Sequence, residues 1–374
     1  MKMIKKQWIA LATVGTLSSA LIGCVSNDTT PATDELKVVL VTDAASIDDK
    51  SFNQGTWEGV LRYEKDFQTI DASYLVPHEA STQAFMDSID NAVLSGAEVV
   101  ITPGFVFEEA IGEAQAQYPE VKFVFIDGQP MVEGEYIQAE NVQSFFFKEQ
   151  EASFLSGVAT ALSTKTGKVG FIGGVKVPAV EKLGYGFVSG MAYANKTLGT
   201  DVEVIDYVYS GSFTDVQAGQ MLASGMYDKG ADVILQAAGG VGVGAMTEAK
   251  THTEVGDEVY IVGVDIDQYE SGLMSNGESI ILTSAMKKLD EAVYQALSDI
   301  QNNEFKGGTT TTLGIAENGV GLPLENPNLE ANVIETVETV KELIEAGEII
   351  VPATFEETKV FLKEKGMDSS FLKE

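Results

Sequence analysis

The sequence predicts an α/β protein built of two doubly wound parallel-sheet lobes. Three observations carry that expectation: short, continuously apolar runs of strand length, amphipathic helical stretches between them, and a second appearance of the same order of elements. From residue 36 the alternation is regular. Residues 37–41 read as a buried strand, and turn residues lead into a helix over roughly 51–65. A short strand at 73–76 precedes a helix carrying Phe85, Ile89 and Val93 at helical spacing. Strand 98–102, helix 108–117 and strand 122–126 follow. The order returns with strand 168–172, a helix through Gly190 and Ala194, strand 202–209, a helix over about 215–227, and strands 232–236 and 259–264.

Two segments make the echo explicit. Ser95-Gly96-Ala97-Glu98-Val99-Val100 corresponds to Lys229-Gly230-Ala231-Asp232-Val233-Ile234, and Phe123-Val124-Phe125-Ile126-Asp127 to Ile261-Val262-Gly263-Val264-Asp265. The spacing agrees, with 61 residues from Lys37 to Glu98 and 64 from Lys168 to Asp232. In such sheets ligands bind beyond the carboxyl ends of the strands, so the residues just after each strand are the first candidates for function.

The N-terminus has a different character. Lys2, Lys5 and Lys6 precede an apolar stretch over 8–22, and Leu21-Ile22-Gly23-Cys24 matches a lipobox. The apolar run is short and interrupted by Thr, Ser and Gly, which suits a signal peptide better than a spanning helix. Residues 1–23 are therefore expected to be a lipoprotein signal peptide, with Cys24 lipidated and 24–35 a flexible linker of turn-forming residues. Cys24 is the only cysteine, which excludes an intramolecular disulfide. The expected location is the extracytoplasmic side of a membrane, held by a lipid.

The formal charge is −32, and loss of 1–23, with three lysines and no acid, would make it −35. Such a surface repels nucleic acid and anionic headgroups. No nucleic-acid partner is expected, and the charge itself serves solubility.

At the strand ends, residues 42–54 offer Asp43, Phe52 and Asn53: an anion, an aromatic plane and an amide near a helix start. Asp49 or Ser51 also suits a helix cap and Phe52 a core position, and composition does not choose between these readings. Asp127 and Asp265 each follow an apolar strand directly, and their recurrence in both repeats favours a shared ligand role, since carboxylates accept well from paired hydroxyls. Phe213 sits in a Gly/Ser turn after strand 202–209, where the alternative is a staple for the next helix. Strand 279–284 leads to Met286-Lys287-Lys288, and a lysine there suits neutralising the cleft carboxylates.

The run Gly239-Gly240-Val241-Gly242-Val243-Gly244 resembles a dinucleotide fingerprint, but its spacing departs from G-x-G-x-x-G. A tight turn allowing close backbone approach to a ligand fits it better, and no cofactor is expected. His78 and His252, the only histidines, lie in no metal-spaced cluster, and neither a G-x-S-x-G elbow nor a Walker loop occurs. Nothing supports an enzyme.

Four ordered motifs resemble the basic membrane protein lipoproteins, the purine nucleoside receptors that serve ABC importers: Asp48-Asp49-Lys50-Ser51-Phe52-Asn53-Gln54 with Trp57-Glu58-Gly59; Ala237-Ala238-Gly239-Gly240; Gly263-Val264-Asp265-Ile266-Asp267-Gln268; and Leu282-Thr283-Ser284-Ala285-Met286-Lys287. The likeness runs from about Leu36 to Gly321. Residues Ala44-Ala45-Ser46 depart from the glycine-richer turn of the family. The resemblance implies a type I periplasmic-binding-protein fold whose lobes, joined by a three-strand hinge, close on one ligand. It divides the chain into a first lobe of 36–145 plus 279–313 and a second of 146–278 plus 314–374. It also implies that Phe52 and Phe213 sandwich a nucleobase and that Asn53 bonds the base edge. Asp43 or Asp127 would address base or ribose atoms, Asp265 would accept ribose hydroxyls, Lys287 would donate nearby, and Gly239 would let the backbone approach. The implied partners are a nucleoside and the permease subunits, with the receptor a monomer. Another small molecule such as a sugar, or an adhesion role without transport, is the alternative.

Overall fold

A computed structural model describes residues 35–43 and 45–373. The signal peptide, the linker up to Asp34 and the lipidation expected at Cys24 lie outside these residues. The elements run β1 (Leu36–Val41), α1 (Phe52–Phe67), β2 (Ile70–Leu75), α2 (Thr82–Leu94), β3 (Val99–Pro103), α3 (Glu108–Gln117), β4 (Lys122–Ile126), a small hairpin of β5 (Met131–Val132) and β6 (Glu135–Tyr136), and β7 (Val142–Phe147). They continue with α4 (Glu149–Ser163), β8 (Lys168–Gly173), α5 (Pro178–Thr197), β9 (Glu203–Tyr209), α6 (Val216–Asp228), β10 (Val233–Ala237), α7 (Gly240–Glu254) and β11 (Tyr260–Asp265). The last are β12 (Ile281–Lys287), α8 (Leu289–Gln301), β13 (Thr309–Leu313), β14 (Val320–Gly321), α9 (Ala331–Glu345) and α10 (Phe355–Lys365).

Two six-stranded sheets result, ordered β13-β7-β4-β3-β1-β2 and β14-β12-β11-β10-β8-β9. All pairings within them are parallel except β12 with β14. Each lobe thus contains the same five-strand order, β7-β4-β3-β1-β2 and β12-β11-β10-β8-β9, the doubly wound pattern the repeat predicted. The fold is the type I periplasmic-binding-protein fold.

One expected boundary is corrected. Residues 279–288 were assigned to the first lobe, but β12 belongs to the second sheet, with Gly263 opposite Ser284 and Val264 opposite Ala285. The reason is the repeat itself: β12 is the fifth strand of the second unit, the counterpart of β7. Each fifth strand then hands the chain to the other lobe. After β7 the chain enters α4, which packs on α5 and β12; after β12 it enters α8, which packs on α1. A third crossing joins β13 to β14. The crossings are tied together, because Lys148 N donates to Leu313 O and Lys288 N to Gly319 O at 2.9 and 2.8 Å. Both α9, on α4, and α10, on α5, belong to the second lobe.

The core follows strand alternation. Val39, Val41, Phe123 and Phe125 bury one face of the first sheet under α2 and α3. Val38, Leu40, Val124 and Ile126 bury the other, in a cluster that continues through α4 and α5 into the second lobe. The α4–α5 crossing is close because glycines line it. A Cβ on Gly157 would lie 2.2 Å from Phe187 O, and one on Gly190 2.1 Å from Phe154 O. Gly190→Val is therefore expected to force the helices apart and to lower stability by about 1–3 kcal/mol, measured as a shifted urea midpoint.

Candidate functional site

The site forms where the carboxyl ends of both sheets face one another. Its centre is Lys287, the last residue of β12, whose side chain is 4% exposed. Its ammonium donates to Asp127 Oδ2 at 2.6 Å and lies 3.2 Å from Asp265 Oδ1. Burial alone would push that ammonium down, but Asp127, Asp265 and Glu149 together hold it well above the ordinary lysine value. A lysine bridges an aspartate from each lobe.

Asp127 directly follows β4 and Asp265 is the last residue of β11, and both take left-handed backbone conformations, with φ of 54° and 68°. Side chains other than glycine pay for that conformation. The same cost at equivalent places in two repeats turns both carboxylates into the cleft. Ser51 Oγ donates to Asp265 Oδ2, so both oxygens of Asp265 are engaged. Asp127 differs: its Oδ1 is buried and has no hydrogen-bond partner. A buried acceptor in that state is a place for a ligand donor.

The segment before α1 shows which of its residues caps the helix. Asp49 caps the helix, accepting from the backbone N–H groups of Ser51, Asn53 and Gln54 at 2.9, 2.9 and 3.1 Å. Ser51 instead reaches across the cleft. Phe52, half-buried, lies under Lys287 with Nζ 4.4 Å from its ring centroid, a cation–π contact that orients the ring. Asn53 is buried, and its amide donates to Asp43 Oδ1 at 2.8 Å and Asp49 Oδ2 at 2.9 Å. Its two donors are committed to carboxylates, so here Asn53 holds Asp43 in place. Burial pushes the Asp43 carboxyl up to about 6, against the lowering by Asn53 and the Ala45 N–H.

Phe213 sits in the β9–α6 turn against two glycines. A Cβ on Gly174 would lie 2.4 Å from its ring, and Gly240 N donates to its carbonyl at 2.7 Å. Gly239 has φ of 54°, and a Cβ there would lie 3.2 Å from Phe213 O. Gly239 thus seats the Phe213 turn. The other glycines of that run serve packing: Gly242 lies over Gln236, and Gly244 brings α7 onto Val216 O of α6.

Sequence reasoning missed three contributors. Ser51 was weighed only as a cap. Gln268, 1% exposed, donates through Nε2 to Lys50 O at 2.6 Å and accepts from Gln236 Nε2 and Val264 N at 2.8 and 3.2 Å. It is a third latch between the lobes, after Lys287–Asp127 and Ser51–Asp265, and only its place in the Asp265 motif signalled it. Glu149, 1% exposed, pairs with Lys182 at 3.3 Å, and burial followed by the charge of Asp127 pushes its carboxyl up to about 7. A cavity of about 540 Å³ opens between the lobes, lined by Lys50, Gln54, Ile266, Glu270, Met286 and Lys287 among others.

The arrangement is suited to holding a neutral molecule by hydrogen bonds and aromatic contact. Among the described residues, no group of three or more His, Cys, Asp or Glu side chains is placed to hold a metal ion, and no helix is long and apolar enough to cross a membrane. Removing the central cation should expose the cost of the design. Lys287→Met strands two buried carboxylates and is expected to cost about 3–5 kcal/mol in chemical denaturation near neutral pH.

Comparison with known proteins places this geometry among relatives. The family model described as ABC transporter substrate-binding protein, PnrA-like, matches residues 36–354. The chain is 33% identical over 365 residues to the CD4+ T-cell-stimulating antigen of Listeria innocua, covering 93% of this chain and 99% of that protein. It is 32% identical over 363 residues to the ABC transporter nucleoside-binding protein BmpA of Lactococcus lactis, covering 94% and 100%. Among solved structures, an ABC transporter solute-binding protein from Aeropyrum pernix superposes with a TM-score of 0.75 at 26% identity, covering 88% of this chain and 97% of that one.

Proposed function

Given that the chain belongs to the PnrA-like family of ABC transporter substrate-binding proteins, we propose that it captures nucleosides, purine nucleosides foremost, and delivers them to a permease. The observation that carries this reading is the Asp127–Lys287–Asp265 bridge lying beside Phe52, with Asp127 Oδ1 left as an unpaired acceptor. A nucleoside offers what such a site lacks: a flat base for Phe52 and Phe213, and hydroxyl or N–H donors for Asp127 and Asp43. Asp265 and Lys287 address the ribose, with Asn53 and Gly239 holding Asp43 and Phe213 in position. Family members act outside the cytoplasm. Lipidation of Cys24 would keep the receptor close to its permease, and removing that thiol in Cys24→Ser is expected to move the protein from the membrane fraction to the medium.

Capture needs no covalent step. The lobes open about the three crossings, the ligand enters, and the latches Ser51–Asp265, Lys50–Gln268 and Lys287–Asp127 re-form over it. A nucleotide would place phosphate against Asp43, Asp127 and Asp265, at high electrostatic cost. Calorimetric titration with inosine, guanosine, adenosine, cytidine and their monophosphates tests the reading. Purine nucleosides are expected to bind and monophosphates to bind weakly; tighter binding of monophosphates, or binding of sugars alone, overturns it. Phe52→Ala and Phe213→Ala should each weaken binding by roughly 10- to 100-fold, since stacking a base is worth about 1–3 kcal/mol.

The Asp43 carboxyl gives a pH signature. Its ordinary value of 3.8 is raised to about 6, so it is charged above that pH and neutral below it. Affinity that depends on a charged Asp43 should be full above about pH 7 and decline as pH falls through 6, and Asp43→Asn should remove that decline.

A further inference from the structure

The lobes also meet along the start of α1. Gln268 Nε2 donates to the Lys50 carbonyl at 2.6 Å, and Ser51 Oγ donates to Asp265. One turn further on, Gly55 faces Ile266, which lies between those two partners in sequence. A Cβ at position 55 would lie 2.7 Å from Ile266 Cγ2, whereas carbon pairs settle at about 3.5–4.0 Å. It would also lie 3.0 Å from Leu289 Cδ1, but that methyl ends a flexible side chain of α8 and can turn away. Gly55 belongs to the first lobe and Ile266 to the second, so their closeness is a property of the closed form. Within α1 a glycine weakens the helix, since alanine is the better helix former. What Gly55 supplies is room for the other lobe.

We propose that Gly55 and Ile266 are positioning residues that set how far the lobes close, and hence how long a captured ligand is held. The inference rests on reading the cleft as a nucleoside site. Alanine at position 55 would hold Ile266 off by about 1 Å. An offset of that size takes the Lys50–Gln268 bond from 2.6 Å past the range of a hydrogen bond, and it loosens Ser51–Asp265 as well. The ligand enters the open form, where the two residues stand apart. The fit between them therefore acts on release rather than on entry. The cavity of about 540 Å³ borders both residues and offers Ile266 a direction of retreat, so the contact must be tested rather than the space alone.

Stopped-flow kinetics with inosine on the wild type, Gly55→Ala and the double variant Gly55→Ala/Ile266→Ala test this. Gly55→Ala should release inosine roughly 5- to 100-fold faster, with its association rate unchanged. Ile266→Ala, which removes the opposing methyl, should restore slow release in the double variant. Equal release from the wild type and Gly55→Ala overturns the proposal, since Ile266 has then moved aside at no cost. A defect that Ile266→Ala leaves in place also overturns it, because the strain then lies against Leu289 within the first lobe. Small-angle X-ray scattering of the ligand-free proteins reads closure without any nucleoside. Gly55→Ala should be more extended than the wild type, and the double variant as compact as the wild type. If no nucleoside binds any of the three, scattering decides alone. The expected difference then means that the ligand reading fails and the role of Gly55 stands, while identical profiles overturn the proposal.

Discussion

A buried ammonium shared between two lobes governs much of this structure. Lys287 is placed by the second sheet, yet its shorter contact, 2.6 Å, is to Asp127 of the first. Neither partner tolerates isolation. A lysine without its carboxylates, or two carboxylates without their lysine, would be charges stranded away from water. Closing the cleft therefore satisfies groups that strand geometry has already pointed into it, and the aromatic contact to Phe52 adds direction to that attraction. Because Ser51 and Lys287 engage one oxygen each of Asp265, while Asp127 Oδ1 has no partner, the two aspartates are chemically unequal despite their equivalent places in the repeat.

Duplication supplies the frame for this pairing. Each unit ends its fifth strand at the cleft and sends its next helix to the other lobe, so the crossings lie beside the binding groups. Lys287 is both the cleft cation and the end of a crossing strand. Phe147, at the other crossing, has its carbonyl held by Lys182 and its ring 5.9 Å from Lys287 Nζ. On the proposed site, ligand contact and hinge geometry would be coupled through adjacent residues rather than through a long path.

Much of the fold was legible because its signals are local. An apolar run of strand length followed by a carboxylate marks a strand end wherever it occurs, and this located Asp127, Asp265 and the Asp43 turn. The alternation of strands and helices, with its recurrence, indicated two doubly wound parallel-sheet lobes, while the strand order is a matter of pairing. What was not legible depended on which surfaces meet. Residues 279–284 could be recognised as a strand, but its sheet is chosen by pairing with β11, which no local pattern states. Ser51 looks like a cap by composition; only the approach of Asp265 from the other lobe gives its hydroxyl another task. In the glycine run, Gly244 is explained by helix α6 pressing on α7, Gly242 by the Gln236 side chain and Gly240 by the Phe213–Thr214 backbone, none of which a local pattern states. Glu149 carries no sequence signal at all, since a glutamate at a helix start is ordinary until it is buried.

The exchange of helices between lobes also governs how the chain must assemble. The first sheet is closed by β13, which pairs with β7 across more than a hundred and sixty intervening residues, Thr309 opposite Gln143. Helix α8, which packs on α1, is likewise made only after five of the six strands of the second sheet. A lobe emerging first from a biosynthetic or export channel would lack a strand and a covering helix until most of the polypeptide has followed. Such long sequence separations slow folding and leave an open strand edge waiting meanwhile. Neither half can mature as an independent module, so productive assembly is a late, concerted event. Truncation anywhere before β13 should yield an incompletely built first lobe rather than a smaller receptor.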